Sequence, residues 1–371
     1  MRASHLLATF AALSGALCAQ ERADLAALLE PIRAEHGVPA LGAAVIRDGA
    51  VVALGVTGVR RQGHEEKVTT DDLWHLGSCT KAMTATLLAQ QVDAGKLQWS
   101  TTVAAGLPDL AGKFDEHARA ITVRHLLTHR AGLPGGPPQP LWRELFRYEG
   151  TTREARREVA TAMLGIAPEA PLGERYLYSN ASYMIAGAIA ERAADASWEE
   201  LMQRQLFTPL GMRSAGFGPP GSKDDTSQPW GHRPGPKGPV PIFGDNPPAL
   251  GPAGTVHCTL ADWAKFAALH LGVVAGDEPL VTAERLRELH TPPEGADYAL
   301  GWGVTTRPWA KGPILSHSGS NTMWYCVAWL APEAKFGVLV TCNQGEAGAA
   351  CDAVAGACIR RFAPARAGAK K

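Results

Sequence analysis

The first regular pattern along the chain is helical. Within residues 21–36 the apolar side chains Leu25, Leu28, Leu29 and Ile32 return to one face, the three-and-four spacing of an amphipathic helix. Residues 41–59 follow a different rule. There an apolar run is split by Asp48-Gly49, a pair that accepts positive φ and so predicts a hairpin. Helical spacing resumes over 78–95 with Met83, Leu87, Leu88 and Val92, and Gly95 marks its end. From about 100 to 215 helical segments are interrupted at 132–138 and 170–173, both rich in Gly and Pro. Residues 217–254 are dense in Pro and Gly and lack apolar periodicity, which predicts a long loop. Thr259-Leu260-Ala261-Asp262 opens another helix. Short runs at 298–305, 314–317, 325–330 and 336–342 predict strands, and 345–362 predicts a closing helix. Residues 364–371 form a basic tail expected to be disordered.

Strands at both ends with helices between them predict an α+β fold of the α/β sandwich kind. One antiparallel sheet of five or more strands would be flanked by helices, with a mainly helical lobe inserted. The expected domain covers 22–363, with a sheet lobe from about 22–80 and 256–363 and a helical lobe from about 81–255. A cleft between lobes is the expected ligand site.

Charge narrows the partners. The 371 residues carry 36 basic and 36 acidic side chains, so neither nucleic acid nor an anionic membrane is an expected partner. At 46% hydrophobic residues the chain is not a disordered one. Met1-Arg2 followed by the uncharged apolar run 6–17, with Ala16 and Cys18 at −3 and −1, reads as a signal peptide over 1–18. Secretion or periplasmic export is therefore expected. Lipid attachment at Cys18 is the weaker reading, because Leu17 stands where a small residue is wanted. No later stretch is long and apolar enough for a transmembrane helix. The six remaining cysteines form no Cys-x-x-Cys pair, so neither a zinc knuckle nor a disulfide framework is indicated. One bridge, Cys326 to Cys342 across a hairpin turning at 332–335, is conceivable, and buried thiols are expected elsewhere.

Lysine is scarce, 11 against 25 arginines, and of those eleven only Lys81 lies three places after a serine, in Ser78-Cys79-Thr80-Lys81. At i and i+3 of a helix start, hydroxyl and amine share a face, and a serine hydroxyl needs such a neighbour to become a nucleophile. About a hundred residues on comes Tyr178-Ser179-Asn180. A phenol beside the Lys81 ammonium would be drawn toward phenolate and could accept the Ser78 proton, while Asn180 offers both donor and acceptor. His317-Ser318-Gly319-Ser320 then lies on a predicted strand. Its glycine would let a substrate backbone approach as an added strand. The Ser320 N–H would join that of Ser78 as an oxyanion hole.

In this order the three motifs resemble the serine β-lactamase and penicillin-binding-protein superfamily, specifically its class C β-lactamase-like branch, which also holds esterases and D-peptidases. Further matching stretches run over about 25–360. They are Leu73-Trp74-His75-Leu76-Gly77, Ile121-Thr122-Val123-Arg124-His125-Leu126-Leu127-Thr128-His129, Ala131-Gly132-Leu133-Pro134, Pro209-Leu210-Gly211-Met212, Ala253-Gly254-Thr255 and Gly301-Trp302-Gly303. The resemblance implies Ser78 as acylated nucleophile, Lys81 as its electrostatic partner and proton relay, and Tyr178 as general base. Asn180, His317, Ser318, Gly319 and Ser320 would bind substrate. His317 departs from the Lys-Thr-Gly of class C β-lactamases, and an imidazole of ordinary pKa is mostly neutral at pH 7. Gly136 stands where those enzymes carry Gln. Both departures turn the expectation toward ester or amide hydrolysis of the family VIII esterase or D-peptidase type, ahead of β-lactam or peptidoglycan cleavage.

Other chemistries fit less well. His125 and His129 at i, i+4 lack the Glu of a zinc protease, and the sequence around Ser78 is not Gly-x-Ser-x-Gly. A non-catalytic binding relative would be expected to have lost Ser78, Lys81 or Tyr178. The expectation is a secreted serine hydrolase acting on a small ester, amide or peptide, with no metal and no cofactor.

Overall fold

A computed structural model describes residues 22–273 and 279–364; the expected signal peptide and all but Pro364 of the expected tail lie outside them. The strands that build the main sheet are β1 (Ala23–Asp24), β2 (Ala40–Arg47), β3 (Ala50–Gly58), β4 (Gly303–Thr306), β5 (Pro313–Ser320), β6 (Tyr325–Ala331) and β7 (Phe336–Cys342). Their spatial order is β1-β3-β2-β7-β6-β5-β4. Every neighbouring pair is antiparallel except β1–β3, which is parallel and two residues long. The fold is α+β, with a sheet joining the two ends of the sequence and helices packed on both of its faces.

The period-2 pattern sorts the side chains of the sheet. Leu41, Ala43 and Val45 of β2, with Phe336, Val338, Val340 and Cys342 of β7, lie in one apolar layer. Helix α1 (Ala26–His36) and the last helix, Gly348–Phe362, cover that layer. Ala40, Ala44 and Ile46, with Leu339, Cys326, Ala328 and Leu330, face the larger core on the other side. There they meet α2 (Thr80–Asp93) and the helix Leu260–His270. Because the two layers are separated by the sheet, burial on both faces explains why β7 is apolar at all but Thr341 rather than alternating with polar residues.

Differences from the sequence expectations have local causes. The first helix starts at Ala26 rather than residue 21, because Ala23–Asp24 pairs with β3 and the Asp24 carboxylate accepts the Ala26 N–H at 2.8 Å. Asp48 and Gly49 take φ of 49° and 83°, the double positive φ expected of the hairpin turn. Strand β4 starts at Gly303, not 298. Gly301 turns the chain at φ +82° so closely against α2 that an added Cβ would sit 2.8 Å from Ala82 Cα. The 217–254 stretch is built rather than open. It holds a small hairpin, Gly231–Arg233 with Val240–Ile242, and His232 is fully buried with its ring between the Gln62 N–H and the Asn343 carbonyl.

Candidate active site

Ser78 sits in a single 3-10 turn, Gly77–Cys79, that leads into α2. Strand β5 lies directly on this turn. An added Cβ on Gly77 (φ +47°) would fall 2.4 Å from Ser320 N, and one on Gly319 would fall 2.0 Å from Leu76 O. Both positions therefore need glycine, and their close approach brings the Ser320 backbone beside the Ser78 turn. Strand β4 pairs only with Pro313–Ser316 of β5. The outer backbone edge of His317–Ser320 thus opens onto the cleft.

Lys81 follows one turn later, fully buried. Its Nζ lies 3.1 Å from Ser78 Oγ, 2.7 Å from Asn180 Oδ1 and 2.7 Å from the Ala253 carbonyl oxygen. Ala253 comes from the short helical turn Gly251–Gly254, a contact the sequence motifs signalled only as a family match. The Tyr178 hydroxyl donates to Ser78 Oγ at 2.7 Å. Tyr178 and Asn180 are delivered by the loop that caps α3 (Asn180–Ala194). Ser179 Oγ accepts the Ser182 N–H as the helix cap and donates to the Pro134 carbonyl at 2.6 Å. The Asn180 N–H reaches the Gly135 carbonyl at 2.7 Å. The Gly-Leu-Pro-Gly turn is thus the brace on which the Tyr-x-Asn motif rests.

The electrostatics correct one expectation. Burial pushes the Lys81 amine well below an ordinary lysine, and no carboxylate touches it to oppose that shift. Burial also raises the Tyr178 phenol, against a smaller lowering from its Ser78 hydrogen bond. The pair is therefore not drawn to phenolate and ammonium. The same two protons are better placed as a neutral amine and a neutral phenol. Of the three oxygens around Nζ, Asn180 Oδ1 and the Ala253 carbonyl can only accept, so the Ser78 hydroxyl is the one partner able to donate to the amine once it has lost its proton.

His317 shares the β5 face of Leu315 and Gly319, toward α2. Its Nδ1 lies 2.6 Å from the Ser318 carbonyl, which can only accept, so Nδ1 carries the proton and Nε2, at 3.0 Å, accepts from the Tyr298 hydroxyl. Tyr298 was not foreseen by sequence. Nor was the cage it forms with Tyr176, Tyr178 and Tyr183 around His129. His129 accepts the Ser179 N–H at Nδ1, and burial holds its ring well below the ordinary imidazole pKa.

A cleft of about 480 Å³ opens over Ser78. Its walls include Tyr176, Tyr178, Tyr298 and Tyr325, with residues 316–320 along one side. Among the described residues its lining contains no Lys, Arg, Asp or Glu. Of the residues singled out from sequence, Ser78, Lys81, Tyr178 and Asn180 form one hydrogen-bonded unit, and His317, Ser318, Gly319 and Ser320 line the same cleft.

His125 and His129 do not form a metal pair. The helix carrying His125 ends at Leu127, His129 turns away at φ +56°, and His125 Nδ1 is occupied by Thr122. Among the described residues no group of three or more His, Cys, Asp or Glu is arranged to hold a metal. The suggested Cys326–Cys342 bridge also fails. Cys342 faces the α1 layer and Cys326 the opposite one; the sulfur near Cys326 is that of Cys79, at 3.5 Å. All six described cysteines are free and buried.

The Beta-lactamase family model matches residues 25–356. Penicillin-binding protein 4 of Amycolatopsis lactamdurans is 29% identical over 339 residues, 88% of this chain and 85% of that protein. Unguisins hydrolase ungD' of Aspergillus campestris is 26% identical over 296 residues, 74% of this chain and 53% of that one. Among solved structures, the β-lactamase/D-alanine carboxypeptidase of Pseudomonas syringae superposes with a TM-score of 0.73 at 21% identity, covering 91% of this chain and 97% of the other.

Proposed function

The chain belongs to the beta-lactamase family of serine hydrolases, and from that premise we propose that it cleaves small, uncharged carboxylic esters, and more slowly amides, through an acyl-Ser78 intermediate. The observation that carries the reading is the placement of Ser78 Oγ between a buried lysine amine at 3.1 Å and a tyrosine hydroxyl at 2.7 Å. In the proposed reaction the Lys81 lone pair takes the Ser78 proton as Oγ bonds to the substrate carbonyl carbon. The carbonyl oxygen becomes an oxyanion held by the N–H groups of Ser78 and Ser320. Tyr178 passes its proton to the departing alkoxide or amine and recovers one from the Lys81 ammonium, so alcohol or amine leaves and Ser78 remains acylated. Water then attacks the acyl carbon, gives a proton to the same pair, and releases the acid with Ser78 restored. Asn180 holds Lys81 and orients the substrate, whose acyl portion lies along the open edge at Ser318–Ser320. No step calls for a metal or an organic cofactor.

The preference for uncharged substrates rests on the lining of the cleft. His317 is committed to Ser318 and Tyr298, and the walls offer tyrosine faces in place of a cation. A second reading, slow acylation by penicillins or D-alanyl peptides, is supported by the similarity to a penicillin-binding protein and by the open β5 edge. The apolar leader at 6–17 supports action outside the cytoplasm, and no described helix is long and apolar enough to cross a membrane.

Intact-mass measurement after a fluorophosphonate probe tests the acyl-serine step. One probe adduct on the wild type and none on Ser78→Ala is expected; an unlabelled wild type, or equal labelling of both, overturns it. Turnover of p-nitrophenyl butyrate should exceed that of nitrocefin and of a D-alanyl-D-alanine peptide. The reverse order would move the assignment to the second reading.

A further inference from the structure

The sequence motifs leave out a buried polar chain beneath the nucleophile. His75 is 1% exposed, and its Nδ1 accepts the Gly77 N–H at 3.1 Å. Its Nε2 lies 2.7 Å from Asp245 Oδ2. Asp245 Oδ1 in turn accepts the Asn321 amide at 2.9 Å and the Asn246 N–H at 2.7 Å. Asn321 Oδ1 accepts the N–H groups of Met323 and Trp324. Because Nδ1 accepts a backbone N–H, the ring proton must sit on Nε2 and point at the carboxylate. The Asp245 side chain, 3% exposed, is thus served by three donors: His75 Nε2, the Asn321 amide and the Asn246 N–H.

The two ends of this chain determine its meaning. One end grips Gly77, whose peptide unit to Ser78 carries the first oxyanion donor. The other grips Asn321, the residue directly after Ser320, which carries the second. Gly77 is held at φ +47° with Ser320 N against it. A Gly77 N–H without its imidazole partner would be a buried unpaired donor, and the turn would relax to satisfy it.

We propose that His75, Asp245 and Asn321 are positioning residues for the oxyanion hole, a single buried carboxylate setting the spacing between the Ser78 and Ser320 N–H groups. This rests on the acyl-serine reading above. It also gives the Pro- and Gly-rich 217–254 stretch a role, since that stretch brings Asp245 under the nucleophile. The residues act through the main chain and touch no substrate. Their loss should therefore weaken tetrahedral states and leave ground-state binding nearly unchanged.

The test uses the full chain, with fluorophosphonate labelling rate and p-nitrophenyl butyrate kinetics as readouts. Asp245→Asn leaves one acceptor oxygen and turns the other into an NH2 donor, so it cannot accept from His75 Nε2 on one side and from Asn321 and Asn246 on the other. It should slow labelling and kcat at least tenfold, with KM within threefold of wild type. His75→Asn keeps an acceptor for the Gly77 N–H through an Asx-type contact two residues on, so it should label at least tenfold faster than His75→Leu. A merely structural role would not separate these two variants, since both lose the ring contact to Asp245. If Asp245→Asn fails to fold, Asn321→Ser decides by the same kcat-against-KM split. Variants that fold and label within twofold of wild type, or a His75→Asn no better than His75→Leu, overturn the proposal. An unlabelled wild type, by contrast, overturns the acyl-serine reading itself, so the two failures are distinguishable.

Discussion

Lys81→Met separates the chemical role of the amine from its structural one. In stability two effects oppose each other. The substitution leaves Asn180 Oδ1 and the Ala253 carbonyl without their donor, at about 1–3 kcal/mol for each buried acceptor. It also removes an amine whose burial disfavours its charged form, an effect of opposite sign. Because the two effects oppose each other, Lys81→Met should lose less stability in urea than the roughly 2–6 kcal/mol expected from two unpaired buried acceptors alone. Activity has no such compensation. Losing a positioned proton acceptor lowers kcat/KM by about 10²–10⁴-fold, or about 2.7–5.5 kcal/mol of barrier. The wild-type profile of kcat/KM against pH should rise along an acid limb as Lys81 loses its proton, with a midpoint well below 10.5, and Lys81→Met should lack that limb. Linkage fixes the sign of the stability effect too. Between the lowered folded pKa and 10.5 the unfolded chain binds more protons, so wild-type stability relative to Lys81→Met rises with pH across that window. A Lys81→Met variant with more than a tenth of wild-type kcat/KM, or one that keeps the acid limb, would refute the assignment of the amine.

Three other perturbations probe separate parts of the molecule. Tyr178→Phe keeps the ring against His129 but loses the hydroxyl on Ser78, so kcat should fall about 10²–10³-fold with Tm nearly unchanged by calorimetry. Gly77→Ala drives a Cβ to 2.4 Å from Ser320 N at positive φ; it should destabilise by about 1–3 kcal/mol in urea and abolish measurable fluorophosphonate labelling. Arg156 is fully buried between Glu191 and Glu199, at 2.6 and 2.8 Å, so Arg156→Ala should cost about 3–5 kcal/mol in urea, while any protein still folded keeps a normal KM.

Much of this architecture was legible because its causes are local. Asp48-Gly49 fixes one hairpin, short runs of strand-forming residues mark the later strands, and Ser78 with Lys81 share a face through helical geometry alone. What escaped the sequence depends on contacts between distant segments. Strand β4 begins late because Gly301 packs against α2; the glycine is visible in the sequence but the helix it packs on is not. Cys326 meets Cys79 rather than Cys342 because adjacent strands put opposed residues on one face, and Cys326 is opposed by Thr341 while Cys342 opposes Tyr325. Asp245 is one acidic residue in a stretch without periodicity, and only the fold brings it to His75. The protonation of the Lys81–Tyr178 pair escapes the sequence for the same reason. Residue types suggest an ion pair, whereas complete burial of the amine works against its charged form.

That burial also bears on which substrates the cleft can use. A substrate carboxylate held about 6 Å from Lys81 Nζ, at an effective dielectric of about 20, would favour the ammonium by about 3 kcal/mol, roughly two pKa units. Among the described residues no Lys or Arg lines the cleft to absorb that charge, since His317 stands where class C β-lactamases carry lysine and is already paired to Tyr298 and Ser318. On the proposed mechanism, an anionic substrate would therefore favour the protonated form of the amine that is to activate Ser78. A neutral acyl group leaves the amine free. The uncharged cleft and the buried lysine accordingly form one device, and a monoanionic ester should be turned over more slowly at pH 7 than its neutral methyl-ester counterpart. The gap should narrow as rising pH removes the proton from Lys81. Equal rates for the two esters across that range would refute the coupling between cleft charge and base.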